Sequence, residues 1–190
     1  MEVHIMPLVS LLLGPRLRLS AFTSSDAATV ARWGEDSEYA RLLSAEPAYP
    51  KTEHQWSEWI REGQSGKNNY LFAARLLSTD ALIGFVELGD ILWTHRTAWL
   101  AVGIGEKVYQ DQGYGGEAVA LALDFAFQEL NLHRVQLTVF SYNSRAIALY
   151  KKLGFTHEGT YRQALLRQGE RYDMLLYGIL AQEWLRPIDR

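Results

Sequence analysis

The run QDQGYGGEA at residues 110–118 decides how the rest of the chain is read. Gly113, Gly115 and Gly116 fall within four positions. Glycine lets a backbone turn sharply and admits a ligand where a Cβ would block it. Residues 117–130 follow, apolar except at Glu117, Asp124, Gln128 and Glu129. Positions 117, 124 and 128 share one stripe, which predicts a helix buried around most of its circumference. A glycine-rich loop opening onto such a helix presents unpaired N–H groups and the positive end of a dipole, a setting that binds phosphate.

Gly113, Gly115 and Ala118 also satisfy a relaxed dinucleotide fingerprint, G-x-G-x-x-A. The surroundings argue against that reading. The fingerprint should follow directly on an apolar strand, whereas residues 106–112 are mostly polar. An acidic residue should end the next strand. Here that strand, residues 134–140, runs into Ser141 and Tyr142.

A chain of 190 residues suits one domain with a proper core. Apolar residues at 48% and charged residues at 22% are ordinary for a globular protein. The net charge of −3, without a lysine or arginine cluster, argues against nucleic acid as the primary ligand. The absence of cysteine removes disulfides, thiolate nucleophiles and cysteine-ligated metals, and is compatible with a cytoplasmic location. The opening MEVHIMPLVSLLLG has a short apolar run, an acidic Glu2 and no small-x-small cleavage site, so it is not expected to be a signal peptide. Residues 8–13 are expected to lead into the first strand. No segment is long enough to span a bilayer as a helix, so no membrane partner is expected.

In chain order, RLRLSAF (16–22) alternates as a half-buried strand, and Thr23 is placed to cap a helix over residues 24–33. Residues 35–50 are mixed, with Pro47 and Pro50 as breakers. Glu35, Asp36 and Glu38 there read either as a solvated helix face or as part of a site for a cation. Thr52 and Gln55 form a capping box for a helix reaching about Arg61. Strands are expected at 70–77, 82–88, 97–104 and 134–140, then a short helix at 144–153 ended by Gly154. A final antiparallel pair, 155–162 and 172–180, closes the fold. The strand-helix-strand around the glycine loop predicts one parallel crossover in an otherwise antiparallel sheet. No repeat or linker interrupts this. The expected organisation is a lead-in at 1–13, one domain at 14–184 and a tail at 185–190.

With these segments in order, the sequence resembles the GNAT superfamily of N-acetyltransferases. Their acetyl-CoA loop follows Gln/Arg-x-x-Gly-x-Gly/Ala, matched here by Gln110, Gly113 and Gly115. The run 129–159, ELNLHRVQLTVFSYNSRAIALYKKLGFTHEG, is similar to the matching family segment almost throughout. GPRLRLSAF (14–22) and GERYDMLLYGIL (169–180) look like the branch that acetylates protein N-termini, the ribosomal-protein alanine acetyltransferase type. The resemblance implies an α/β fold of the α+β type: a mixed, mostly antiparallel sheet flanked by helices and splayed open at the acetyl-CoA site. It implies acetyl-CoA as cofactor, an amine acceptor as partner and a homodimer as one possible assembly.

On that resemblance, Gln110, Asp111, Gln112, Gly113, Tyr114, Gly115 and Gly116 form the cofactor loop, with backbone N–H groups from 112 to 116 on the pyrophosphate. The edge of Val102, Gly103 and Ile104 would pair with the amide-bearing arm like an added strand. Asn143 matches the family asparagine on that arm, although turn chemistry alone also explains an Asn there. Ala146 lies on the same wall. Tyr150 matches the tyrosine beside the sulfur, where it would stabilise the leaving thiolate. The third strand of related sequences often begins Ala-Glu; here Ala98 is followed by Trp99. Glu87 is the substitute base, although alternation alone leaves its face open. Trp33, Trp93, His95 and Trp99 are the further acceptor-side candidates. Neither a metal nor a covalent acyl-enzyme is expected.

For the acceptor, an α-amine near pKa ~8 demands less of a base than a lysine-like amine near ~10.4, which tilts the reading towards a protein N-terminus. Val86, Glu87, Leu88, His95 and Arg96 follow a pattern shared with polyamine acetyltransferases, and a polyamine or another small amine is the alternative. A non-catalytic acyl-CoA-binding regulator would keep the loop equally intact. Tyr150 argues against it, Trp99 argues for it, and turnover separates the two.

Overall fold

The computed structural model describes residues 11–184. The expected lead at 8–10 and the tail at 185–190 lie outside the described residues. Seven strands form one sheet in the order β1-β2-β3-β4-β5-β7-β6. They are β1 (Leu17–Ser20), β2 (Tyr70–Leu76), β3 (Leu82–Leu92), β4 (Thr97–Ile104), β5 (Arg134–Phe140), β6 (Thr156–Arg167) and β7 (Glu170–Leu180). Only β4 and β5 run parallel; every other neighbouring pair is antiparallel. The mixed sheet and its single crossover are as expected. The bounds of β4 and β5 also agree; β5 alternates buried Val135, Leu137 and Val139 with half-buried Arg134, Gln136 and Thr138, whereas β4 is apolar throughout after Thr97. The last hairpin is longer than expected: Gln168 and Gly169 both have positive φ, giving a tight turn between Arg167 and Glu170.

Helices cover the two faces with separate cores. On one face lies α4 (Tyr114–Asp124), whose Ala118, Val119, Ala122 and Leu123 are fully buried against Leu17, Val86, Leu88 and Leu100. Small residues on this helix let it approach the sheet closely. The helix begins three residues earlier than the sequence suggests, so Gly115 and Gly116 belong to its first turn. It ends in a π-helical turn, Phe125–Glu129, where Phe125 meets Tyr70 and Phe72 edge-on. The other face carries α1 (Asp26–Gly34) and α3 (Glu53–Gly63), packed through Val30, Trp33 and Ile60 on Leu71, Ala73 and Phe85. The capping box at Thr52 and Gln55 is present. Between them α2 (Ser37–Leu43) occupies part of the stretch read as mixed, where the acidic group at 35–38 left a helix face open.

At α1 the expected cap is reversed. The helix starts at Asp26 after Ser25, not at 24, and the Thr23 side chain does not cap it: the Thr23 carbonyl accepts from Asp26 N–H at 3.1 Å, while the N–H and hydroxyl of Thr23 both donate to the Asp26 carboxylate, at 2.7 and 2.9 Å. Asp26 is buried and also receives Arg75 Nη2 from β2 at 2.5 Å. A buried carboxylate must collect donors, and here it collects them from the loop and from the sheet. Removing one partner of a buried pair strands the other charge, a loss of about 3–5 kcal/mol. Asp26→Ala is therefore expected to lower the unfolding free energy from urea denaturation by that amount, with Arg75→Met milder. An unfolding free energy within about 1 kcal/mol of the parent, against the ~3–5 expected, would show the pair contributes little.

Candidate active site

β4 and β5 are paired only at Thr97–Arg134, Ala98–Val135 and Trp99–Gln136. Beyond that the strands part, each keeping its outer neighbour, β3 or β7. The opening forms a cleft of about 470 Å³. Its floor on one side is Trp99, Leu100, Val102, Gly103 and Ile104, and on the other Thr138, Val139 and Phe140. The Ile104 carbonyl points into the opening, where it accepts from Gln110 Nε2 at 2.9 Å. Backbone direction alternates along a strand, so the N–H and C=O of Val102 face the same way and have no strand to pair with.

The glycine loop closes one end. Gly113 adopts φ 84, a conformation costly for any residue with a Cβ, and turns the chain into α4 without a side-chain cap. The N–H groups of Tyr114, Gly115 and Gly116 consequently have no hydrogen-bond partner among the described residues. Gln110, Asp111, Gly113, Tyr114, Gly115 and Gly116 all line the cleft. Gln112 does not; its side chain turns away to the Val108 carbonyl.

The opposite wall is α5 (Ser144–Lys152). Asn143 caps it, its side chain accepting from Ala146 N–H at 3.1 Å, so the turn role is realised while the amide nitrogen stays free on the cleft. Leu149 reaches the glycines of α4: a Cβ on Gly116 would lie 3.0 Å from its methyl. Ala146 and Tyr150 face the cleft. Tyr150 is buried, packed edge-on to Phe155, and its hydroxyl has no partner among the described residues. Burial pushes its pKa up to about 12. Arg145 bridges the mouth, pairing with Asp111 at 3.2 Å.

The roof is α2, which the sequence did not reveal. Tyr39, Leu42, Leu43, Ser44 and Ala45 line the cleft from above. No residue of α2 itself is fully buried. Tyr39 and Leu43 pack partly buried against the core beneath α1 and α3, and polar ties add to this: Asp36 to Lys107 at 2.8 Å, Tyr142 hydroxyl to the Arg41 carbonyl at 2.7 Å, and Arg167 to the Ser44 carbonyl at 2.7 Å. The acidic group is thereby explained in part. Asp36 caps the helix and pairs with Lys107, which holds its carboxyl below the usual range, whereas Glu35 and Glu38 are exposed.

The remaining acceptor-side candidates separate. Trp33 lies outside the cleft, in the core; a Cβ on Gly105 would fall 2.0 Å from its ring, and its Nε1 donates to Glu106 at 2.9 Å. Trp93 and His95 sit exposed on the β3–β4 turn, Trp93 donating to the Lys67 carbonyl at 2.9 Å. Neither lines the cleft. Trp99 does. Glu87 does not itself line the cleft; it is half-buried on β3 directly opposite Ala101, an exposed residue of the cleft wall. Opposed residues of antiparallel strands share a face, so Glu87, Ala101 and Trp99 look the same way. Burial, with the charge of Asp90, raises the Glu87 pKa.

Comparison with known proteins agrees with this geometry. A family profile described as "Acetyltransferase (GNAT) domain" matches residues 16–156, and the chain belongs to that family. An uncharacterized N-acetyltransferase of Bacillus subtilis (strain 168), the SPbeta prophage-derived YokL, is 30% identical over 136 residues, 72% of this chain and 75% of the relative. Spermidine N(1)-acetyltransferase of Vibrio cholerae is 35% identical over 104 residues, 55% of this chain and 60% of the relative. The crystal structure of a spermidine N-acetyltransferase from Vibrio cholerae with CoA and spermine superposes with a TM-score of 0.82 at 25% identity, covering 91% of this chain and 100% of that one. The protein is an acyltransferase that uses acetyl-CoA. The cleft fits that molecule on two observations: unpaired N–H groups at the start of α4 for phosphate, and an unpaired β4 edge for the amides of the arm.

One polar atom in the roof has no such explanation. The Tyr39 hydroxyl is buried against Gly103 and unpaired among the described residues, and burial pushes its pKa far up. An unsatisfied buried hydroxyl costs about 1–3 kcal/mol. Tyr39→Phe is expected to stabilise the ligand-free protein by about 1 kcal/mol, seen as a higher urea midpoint with unchanged slope. A lowered midpoint would mean that the hydroxyl is paired in solution.

Proposed function

We propose that the acceptor is a small polycationic amine of the spermidine type. The observation that carries this reading is the likeness, over nine-tenths of the chain, to an acetyltransferase solved with spermine. The site's chemistry supports it. The ring face of Trp99 attracts an ammonium group, and the half-buried Glu87 on the same face offers it a carboxylate. A second reading, a protein α-amine, rests on the segments 14–22 and 169–180 that resemble ribosomal-protein alanine acetyltransferases.

In this reading acetyl-CoA supplies an acetyl thioester, and the acceptor nitrogen displaces the thiol directly. The arriving amine must shed a proton to attack. Glu87 takes it, directly or through a water; a raised pKa makes it a stronger base than an ordinary glutamate. Tyr150 faces the departing sulfur. With a phenol at about 12, full proton transfer to a thiolate of pKa ~8.5 is uphill by ~3.5 units, close to 5 kcal/mol. Tyr150 therefore stabilises the thiolate as a hydrogen-bond donor and stays protonated across the working pH range.

The acceptor is tested by thiol release from acetyl-CoA with a colorimetric reagent, since a chain without cysteine adds no background. Spermidine and a peptide with a free Ala or Ser N-terminus are offered in parallel. Preferred release with spermidine is expected; release with the peptide alone would replace this reading with the second. Two variants address the mechanism. Tyr150→Phe should lower kcat by about 10²–10³-fold with little change in acetyl-CoA affinity, and unaltered turnover would remove Tyr150 from it. In the parent, kcat/KM should rise with pH as Glu87 loses its proton, at a pH above the ordinary glutamate range. Glu87→Gln should abolish that limb and slow the reaction by about 10²–10⁴-fold. An unmoved profile would assign the proton to another base.

A further inference from the structure

We infer that Arg16 is a positioning residue for the pyrophosphate of coenzyme A: it holds the glycine loop in its phosphate-receiving shape and neutralises the carboxylate beneath it. The inference rests on reading residues 112–116 as the phosphate cradle.

Arg16 stands just before β1, about a hundred residues from the loop it touches. Its Nη1 donates to the Gln112 carbonyl at 2.9 Å. Its Nε donates to Glu117 Oε2 at 2.8 Å. Its guanidinium carbon lies 4.4 Å from the centroid of the Tyr114 ring. Its Nη2 is 3.4 Å from where a Cβ of Gly113 would sit. One side chain thus braces the residues on both sides of the left-handed Gly113, the residue that turns the chain into α4. A planar fork with several fixed donors suits this work in a way an ammonium does not.

Glu117 makes the charge necessary. It occupies the first turn of α4, where its side chain is only 10% exposed. A carboxylate is favourable at a helix N-terminus, but it draws on the same positive field that a bound phosphate uses. Its Oε1 accepts from the backbone N–H groups of Arg16 and Leu17, at 2.8 and 3.0 Å, so the acid also fixes the start of β1. Glu117 is therefore structural, and its charge would oppose an anion one turn away. Arg16 cancels it. The neighbouring acid of the loop, Asp111, is matched by Arg145.

The test compares two thioesters, acetyl-CoA and acetyl-pantetheine, which share the reactive end and differ in the pyrophosphate and nucleotide. Dissociation constants are measured by calorimetry on the parent, Arg16→Gln and the double variant Arg16→Gln/Glu117→Gln. Arg16→Gln keeps the two backbone hydrogen bonds to Glu117, so the fold should persist; thermal unfolding checks this. It should weaken acetyl-CoA by about tenfold, leave acetyl-pantetheine within about twofold, and raise KM for acetyl-CoA while kcat at saturation holds. The double variant should recover much of the lost affinity. Arg16→Gln retaining the parent's full preference for acetyl-CoA would overturn the inference, as would a further loss in the double variant. A parent that binds both thioesters equally would remove the cradle reading and the role of Arg16 with it, a result distinct from either.

Discussion

The site depends on one constraint: two parallel strands pair for three residues and then separate. Hydrogen-bonding groups along the diverging edge of β4 cannot be left buried and unpaired. One is met by Gln110 from the glycine loop. The others face the cleft beside Val102, where an amide-bearing ligand can pair with them as another strand would. The gap in the sheet is thereby a binding site of defined chemistry. The elements around it hold it open: α5 is wedged against the glycines of α4 through Leu149, and β5 is kept in register by β7 rather than by β4.

In a chain of net charge −3, the proposed phosphate cradle has no cluster of free cations beside it. Several charged residues beside the cleft are matched within the protein. Arg32 pairs with Glu106, Lys107 with Asp36, Arg145 with Asp111 and Arg16 with Glu117. With those charges cancelled, the field at the start of α4 is set by oriented peptide groups. Such dipoles cost no reorganisation when the ligand arrives, and they are fixed by the same backbone turn that admits it.

Much of this was legible in the sequence where local rules govern. Glycines at 113, 115 and 116 announced a turn and a close approach, and the apolar run 97–104 and the alternating 134–140 marked the two strands that part. The acceptor side was less legible because its determinants are non-local. The helix α2 is only seven residues long, so its apolar positions Tyr39, Leu42 and Leu43 span barely one repeat, and its polar contacts come from Lys107, Tyr142 and Arg167, each distant in sequence. Trp33 looked like a pocket residue, and nothing in the sequence shows that Gly105 opens a seat for its ring. At Thr23 the capping rule was right about the residues and wrong about direction, because Arg75 on a remote strand recruits Asp26 into the core.

The two halves of the cleft are also anchored differently. The cofactor side is part of the main core: α4 buries a continuous apolar face, and changes there disturb the packing of the whole sheet. The roof is a seven-residue helix that buries no residue fully: Tyr39 and Leu43 rest partly buried on the second core, and the remaining ties are polar contacts at the surface. Substitutions at its exposed positions leave the packing of α4 on the sheet untouched, so the two walls of the cleft can change independently of one another.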